Sequence, residues 1–379
     1  MKKEKYLYGD LVQEEELNKA AKQRKKKYQE IRVPNSEVPS FLRERWQLRD
    51  QFKTTAKLRK EKDCGELLED ESWLLFKNMG FTEMNKDRNF EIQAGPIKKQ
   101  IDVFAKDGNE VFVIECKAQS EKGPKSLRKE IHKILNLRKD ITKSLKKHYK
   151  HKLRVSFLLV TKNIIWNPID EKFASANRKY RFFAWKEKDL EAYTNLINQQ
   201  GEDARFQMYS ILFRGQRIDE LKEIKVPAMR GGKGKKKYYV FVIQPEKLLH
   251  GVAYVHRREE SNPEEASKAY QRMLKKRRLE VILKYIDEKR GFFPNNIILN
   301  FTEKPTFEPF GPKTEFGDIA YGILRFPPYY GSAWIIDGQH RLYGYSKSKK
   351  RATDTLPVVA FDGLKIKEQA NLFVDINKE

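Results

Sequence analysis

The sequence predicts a mixed α/β (α+β) protein of two domains behind a charged N-terminal extension, and three observations predict it. Short apolar runs bounded by turn residues alternate with long segments of helical period. A polar break, Gln199-Gln200-Gly201-Glu202-Asp203, separates two such series. The 379 residues suffice for two domains of ordinary size, each with its own core. We divide the chain into a helical extension at residues 1–62 and domains at 63–202 and 203–379.

Composition narrows the partners. Seventy-eight Lys and Arg against 53 Asp and Glu give a formal charge of +25, which makes a polyanion, most commonly nucleic acid, the expected partner. No long apolar segment or secretory signal is present, so a membrane partner is not expected. Two cysteines, Cys64 and Cys116, and six histidines lack zinc-site spacing. The chain reads as soluble, reduced and cytoplasmic.

The first domain is read element by element. Arg43–Lys62 reads as a solvated basic helix, either a DNA-gripping arm or a helix packed on the next domain. Gly65–Met79 is a core helix with Leu67, Leu68, Trp73, Leu75, Phe76 and Met79 as apolar positions, ended by Gly80. Ile101–Ala105 and Glu110–Lys117 flank Asp107-Gly108 and predict a hairpin. With a period of two, Val111, Val113, Glu115 and Lys117 share one face, and Phe112, Ile114 and Cys116 the other. Both faces begin apolar, so this strand is expected to be buried on both sides. One face then turns ionic, and the partner strand supplies a second acid, Asp102. Two carboxylates on adjacent strands beside a lysine can hold a divalent cation and activate a water. The plainer alternative is a surface hairpin with an ordinary Glu–Lys pair. Next come a basic amphipathic helix over 124–150, strands at Leu153–Thr161 and Tyr180–Trp185, and a helix at Asp189–Gln200.

The second domain starts at Ile224–Pro227. Arg230–Lys237 reads as a basic hairpin tip, not a phosphate loop, since no Lys-Ser/Thr follows its glycines. Tyr238–Ile243 is a strand, Asn262-Pro263 opens a helix running to Arg290, Ile297–Phe301 is a strand, and 303–318 is loop. Trp334-Ile335-Ile336 is a short buried strand. Asp337-Gly338-Gln339-His340-Arg341 then turns at once into a helix, with Asp337 expected as its cap. Such a turn is a natural anion site, and Arg341 can fork onto phosphate. The alternative is a structural Asp cap with Arg341 in an ion pair.

Two families share these motifs. Asp102 with Glu115-Cys116-Lys117 resembles the core of the restriction-endonuclease-like, or PD-(D/E)xK, nucleases, and Leu68-Glu69 resembles the first helix of their Mrr-type branch. The literal Pro-Asp pair is absent, Pro96 lying several residues before Asp102. The resemblance implies a mixed sheet flanked by helices and a DNA endonuclease. Asp102 and Glu115 would bind Mg²⁺ or Mn²⁺, Lys117 would orient the water, and Glu69 would assist. Asp-Gly-Gln-His-Arg resembles the DGQHR domain, related to DndB and more distantly to the ParB/sulfiredoxin α+β fold. The likeness runs over about residues 205–379, through Tyr270-Gln271-Arg272, Phe293-Pro294-Asn295 and Leu356-Pro357-Val358 to Phe373-Val374-Asp375-Ile376-Asn377. It implies ATP or another nucleoside triphosphate held by Asp337, Gly338, Gln339, His340, Arg341 and Arg272, in a DNA-modification or phage-defence system. Partners implied are DNA, a second copy of the chain, or other defence proteins. Relatives continue past Asp-Ile-Asn, so the second domain is expected to be incomplete. The rival expectation is a DndB-like DNA-binding ATPase or transcriptional regulator without nuclease activity.

Overall fold

The computed structural model describes residues 5–150, 152–213, 216, 224–233, 236–250, 253–254, 275–289, 291–311 and 319–376. The architecture is mixed α/β, in two compact units, Met1–Thr194 and Asn195–Glu379.

The first unit is built on a six-stranded sheet. Its order is Phe182–Trp185, Arg154–Ile165, Glu110–Pro124, Val103–Asp107, Glu83–Asn85, Leu11–Gln13. The first two pairings are parallel and the other three antiparallel. The hairpin forms as predicted, with Asp107 opposite Glu110 and Gly108 at φ +53°. Val111 through Ile114 are buried on both faces. Val111 and Val113 share a core with Ile131, Ile134 and Leu145 of the helix Arg128–Tyr149. Phe112 meets Phe76 of the helix Cys64–Asn78 at 5.2 Å between ring centroids. This second helix starts on a capping box. Asp63 Oδ1 accepts from Glu66 N at 2.8 Å, and Glu66 Oε2 accepts from Asp63 N at 3.0 Å. Leu67, expected in the core, is 42% exposed, because it falls on the outer side of the apolar stripe.

Two expectations for residues 1–62 fail. Arg43–Lys62 is not a helix: Gln47–Gln51 and Thr55–Glu61 are strands in a three-stranded sheet with Tyr28–Pro34. Ala56 and Leu58 are buried and alternate with Lys57 and Arg59, a period of two that the density of charge obscures. Nor is the segment a helical extension, since Leu11–Gln13 forms the edge of the main sheet. Among its described residues only Glu14–Arg24 and Val38–Arg43 are α-helical.

The second unit carries an eight-stranded sheet. Its order is Ala253–Tyr254, Ala333–Asp337, Ile297–Phe301, Leu356–Asp362, Lys236–Ile243, Lys225–Lys233, Ala320–Arg325, Thr306–Pro309. Leu299, Ile335, Val358, Phe241 and Leu324 alternate into its core. Two loop expectations need correction. Thr306–Pro309 is a strand, paired with Ala320–Arg325, and Arg230–Lys233 is strand because it continues the ladder to Tyr239 and Lys236. The Asn262 start of the long helix lies outside the described residues, whose helical part is Lys276–Asp287.

Candidate functional site

Asp102 sits one residue before the strand Val103–Asp107 and is held at its carboxylate and at its carbonyl. Its Oδ2 accepts from Cys116 N at 2.8 Å, tying it to the strand that carries Glu115 and Lys117. Its carbonyl accepts from Asn85 Nδ2 at 3.2 Å, while Asn85 Oδ1 takes Phe104 N at 2.9 Å. Asn85 is fully buried, and its other neighbour is the helix: Trp73 Nε1 donates to the Asn85 carbonyl at 2.8 Å. Glu115 is 8% exposed at the point where its strand face turns ionic. Its Oε1 lies 2.5 Å from Lys99 Nζ and its Oε2 3.9 Å from Lys117 Nζ. Burial raises the Glu115 carboxyl pKa, the Asp102 charge raises it further, and Lys99 and Lys117 oppose both.

Glu69 reaches the same charges from the helix Cys64–Asn78. Arg88 Nε donates to its Oε2 at 2.6 Å. Burial, then the Asp102 carboxylate, push Glu69 up to about 7 against the pull of Arg88. Glu69, Asp102, Glu115 and Lys117 are therefore gathered in one electrostatic group, with Asp102 acting on both glutamates. Next to Glu69, buried Asp70 takes Arg24 at 2.9 Å, Lys62 at 2.6 Å and Arg88 at 2.9 Å. Lys99, Arg88 and Asn85 were not singled out from the sequence. Lys99 lies in a short strand, Ile97–Gln100, of mostly exposed residues, and nothing in its neighbourhood marks it.

A hard divalent cation suits this donor set in kind. Mg²⁺ is commonly held by one or two carboxylates, with water and phosphate completing the shell. The mutual repulsion of Asp102 and Glu115 is what such a cation relieves. Among the described residues no group of three or more His, Cys, Asp or Glu is placed to hold a metal. Lys99 already lies on Glu115, and a cation would compete with it for that carboxylate.

The second motif forms the predicted strand-to-helix turn. Asp337 ends the strand Ala333–Asp337, and Gln339–Gly344 is a short helix. Gly338 between them has φ +88°, where any side chain is strained, and a Cβ there would also lie 2.7 Å from Ile297 Cδ1. Asp337 does not cap the helix, whose N-cap position is Gly338. Its carboxylate instead takes Arg341 Nη2 at 2.7 Å, and the same nitrogen donates to the Asn296 carbonyl at 2.9 Å. Gln339 and His340 are buried, and His340 Nε2 accepts from Lys275 N at 3.3 Å. Of the structural alternative, the Arg341 ion pair is therefore present and the Asp337 cap is not. Arg272 lies outside the described residues.

Residues 226–379 match the family described as DndB, DNA-sulfur modification-associated, so the C-terminal part of the chain is DndB-like. No curated protein matches. Three solved structures show partial likeness. The protein of unknown function AF1548 is 18% identical with a TM-score of 0.23, over 30% of this chain and 53% of its own. Can2 from Sulfobacillus thermosulfidooxidans, in complex with cyclic tetra-adenylate, is 15% identical with a TM-score of 0.26, over 48% and 49%. VC1899 from Vibrio cholerae is 13% identical with a TM-score of 0.26, over 48% of each chain. The chain spans about half the length of each.

Proposed function

We propose that the chain is a metal-dependent DNA endonuclease of a DNA-modification-linked system, with its cleavage centre in the first unit. The observation that carries the reading is Asp102 tied to Cys116 N beside Glu115, two mutually repelling carboxylates with Lys117 next to them. Asp102 and Glu115 would hold Mg²⁺ or Mn²⁺, which supplies Lewis-acid polarisation of a phosphoryl oxygen. Lys117 keeps positive charge where the attacking water and the scissile phosphate must meet. Glu69, with a pKa near 7, can hold or release a proton at neutral pH. The DndB match supports the DNA-modification context. In the second unit, ATP or another nucleoside triphosphate would take Arg341 from Asp337, the contact being worth roughly 1.5–3 kcal/mol.

The test is nicking of plasmid with Mg²⁺ or Mn²⁺, with and without nucleotide, on modified and unmodified DNA. Wild type should cut, and Glu115→Gln and Asp102→Asn should bind DNA without cutting. Equal cutting by Glu115→Gln would remove the assignment. A second reading, a DndB-like DNA-binding regulator without cleavage, is favoured by Lys99, which neutralises Glu115 as a purely structural ion pair would. It expects DNA binding, and no metal-dependent cutting by any variant.

A further inference from the structure

The sheet of Tyr28–Pro34, Thr55–Glu61 and Gln47–Gln51 has two unlike faces. Val33, Ala56 and Leu58 are buried on one. By the strand period and the register, Tyr28, Glu30 and Arg32 lie on the other, beside Glu61, Arg59 and Lys57. Six cations gather on this face and its margin: Lys26, Lys27, Arg32, Arg49, Lys57 and Arg59. Three acids oppose them, Glu30, Asp50 and Glu61. Glu30 is engaged by Lys26 at 2.7 Å, by Lys57 at 3.7 Å and by Arg49, which also lies 3.6 Å from Asp50. Glu30 and these three cations line an open cleft of about 540 Å³ with Lys27 and Tyr28, a size within the roughly 300–1,000 Å³ of ligand pockets. Four cations against one carboxylate leave the cleft with a surplus of positive charge.

Solvation accounts for the charges but not for the rings among them. Tyr28 is 37% exposed and Phe52 45% exposed. Arg59 lies over the Tyr28 ring at 5.0 Å and Arg32 over Phe52 at 4.5 Å. The guanidinium groups are further fixed, Arg32 Nε donating to Thr55 Oγ1 at 3.1 Å and Arg59 Nε to Gln47 Oε1 at 3.3 Å. Fixed guanidinium groups, exposed aromatic faces and an electropositive groove form the combination that grips a single strand: phosphates in the groove, bases on the rings. A duplex keeps its bases stacked and offers the rings nothing.

We propose that this outward sheet face binds single-stranded DNA, with phosphates in the cleft and unstacked bases against Tyr28 and Phe52. The inference rests on the reading of the chain as a DNA-acting protein and not on cleavage. Full-length protein would be titrated into fluorescein-labelled oligothymidylate and into duplex of equal length, at several salt concentrations. Wild type should prefer the single strand. Tyr28→Ala with Phe52→Ala should weaken oligothymidylate by roughly thirtyfold or more, each ring contributing about fivefold at least, and leave duplex affinity unchanged. Arg49→Gln with Lys57→Gln should weaken oligothymidylate and flatten the salt slope by about one to two. Hydrogen exchange of the helix Cys64–Asn78 confirms that each variant is folded. Oligothymidylate affinity unchanged by the ring variants, or duplex bound as tightly as single strand, overturns the inference. Absence of any DNA binding by wild type at low salt overturns the DNA-acting reading itself.

Discussion

Asp70 is the residue whose removal the structure prices most directly. It is 3% exposed and neutralises Arg24 and Lys62, whose side chains are 6% and 4% exposed. Arg88, its third partner, is more open and keeps Glu69, so its share is discounted. Asp70→Asn preserves the shape and deletes the charge, leaving two buried cations without a counter-ion. Breaking a buried pair from one side costs roughly 3–5 kcal/mol, because the stranded charge keeps its desolvation penalty. The two cations do not double that figure. Lys62 Nζ still meets the Gln23 and Arg24 carbonyls at 3.4 and 3.3 Å, and Arg24 still lies over Trp73 at 4.9 Å. Because a chain of two compact units need not unfold in one step, the assay should report on the first unit alone. Urea-dependent hydrogen exchange of peptides from 64–78 does so. The midpoint should fall by roughly 1–3 M at ordinary denaturant slopes, and adding Lys62→Met should restore part of the loss. A loss below about 1 kcal/mol would show that these cations are solvated, and the account of Asp70 as their neutralising centre would fall.

Three other outcomes follow from single contacts. Lys99→Ala frees Glu115 from its ion pair, so Mn²⁺ binding by calorimetry should tighten; weaker binding would refute competition for that carboxylate. Gly344→Ala puts a Cβ 2.2 Å from Ile282 Cγ2, so the second unit should lose roughly 1–3 kcal/mol of stability, read by denaturation. Asp203, buried beside Arg351, is pushed up to about 6 chiefly by burial. A raised folded pKa gives stability that is complete below the unfolded value near 3.9 and lost as pH rises through about 6, roughly 3 kcal/mol in all. Asp203→Asn should therefore gain on wild type as pH rises from 4 to 7, and a constant difference between the two across that range would refute the assignment.

Legibility followed period and turn chemistry. The hairpin around Gly108 and the helix Arg128–Tyr149 could be read because an Asp-Gly turn and a long apolar stripe each have one natural structure. The strand Ile297–Phe301 was bounded correctly for the same reason. The three-stranded sheet was lost because its buried positions are few: Ala56 and Leu58 stand among Lys57, Arg59 and Lys60, and the charges dominate any window. Asp337 was expected to cap a helix because Asp at a helix start usually does. Arg341, one turn on, takes that carboxylate first. Arg88 and Lys99 were invisible for another reason. Each meets its glutamate across the fold, at separations of 19 and 16 residues, and no local pattern encodes such a pairing.

The same long-range pairing explains why residues 1–62 belong to the first unit. Arg24 closes the helix Glu14–Arg24, and Lys62 directly follows the strand Thr55–Glu61. Both converge on Asp70, one residue after Glu69 on the same helix. Arg88 bridges the two acids, donating to Glu69 through Nε and pairing with Asp70 through Nη2. A charge that would be costly alone is therefore shared among a helix end, a strand end and the loop residue that orients Glu69. Displacing the N-terminal sheet would strip Lys62 from Asp70, and the less balanced carboxylate would draw Arg88 away from Glu69. With less of that opposing pull, Glu69 would move still further above the usual carboxylate range. Loss of the N-terminal sheet would then reach the acid–base behaviour of the candidate centre without touching Asp102 or Glu115.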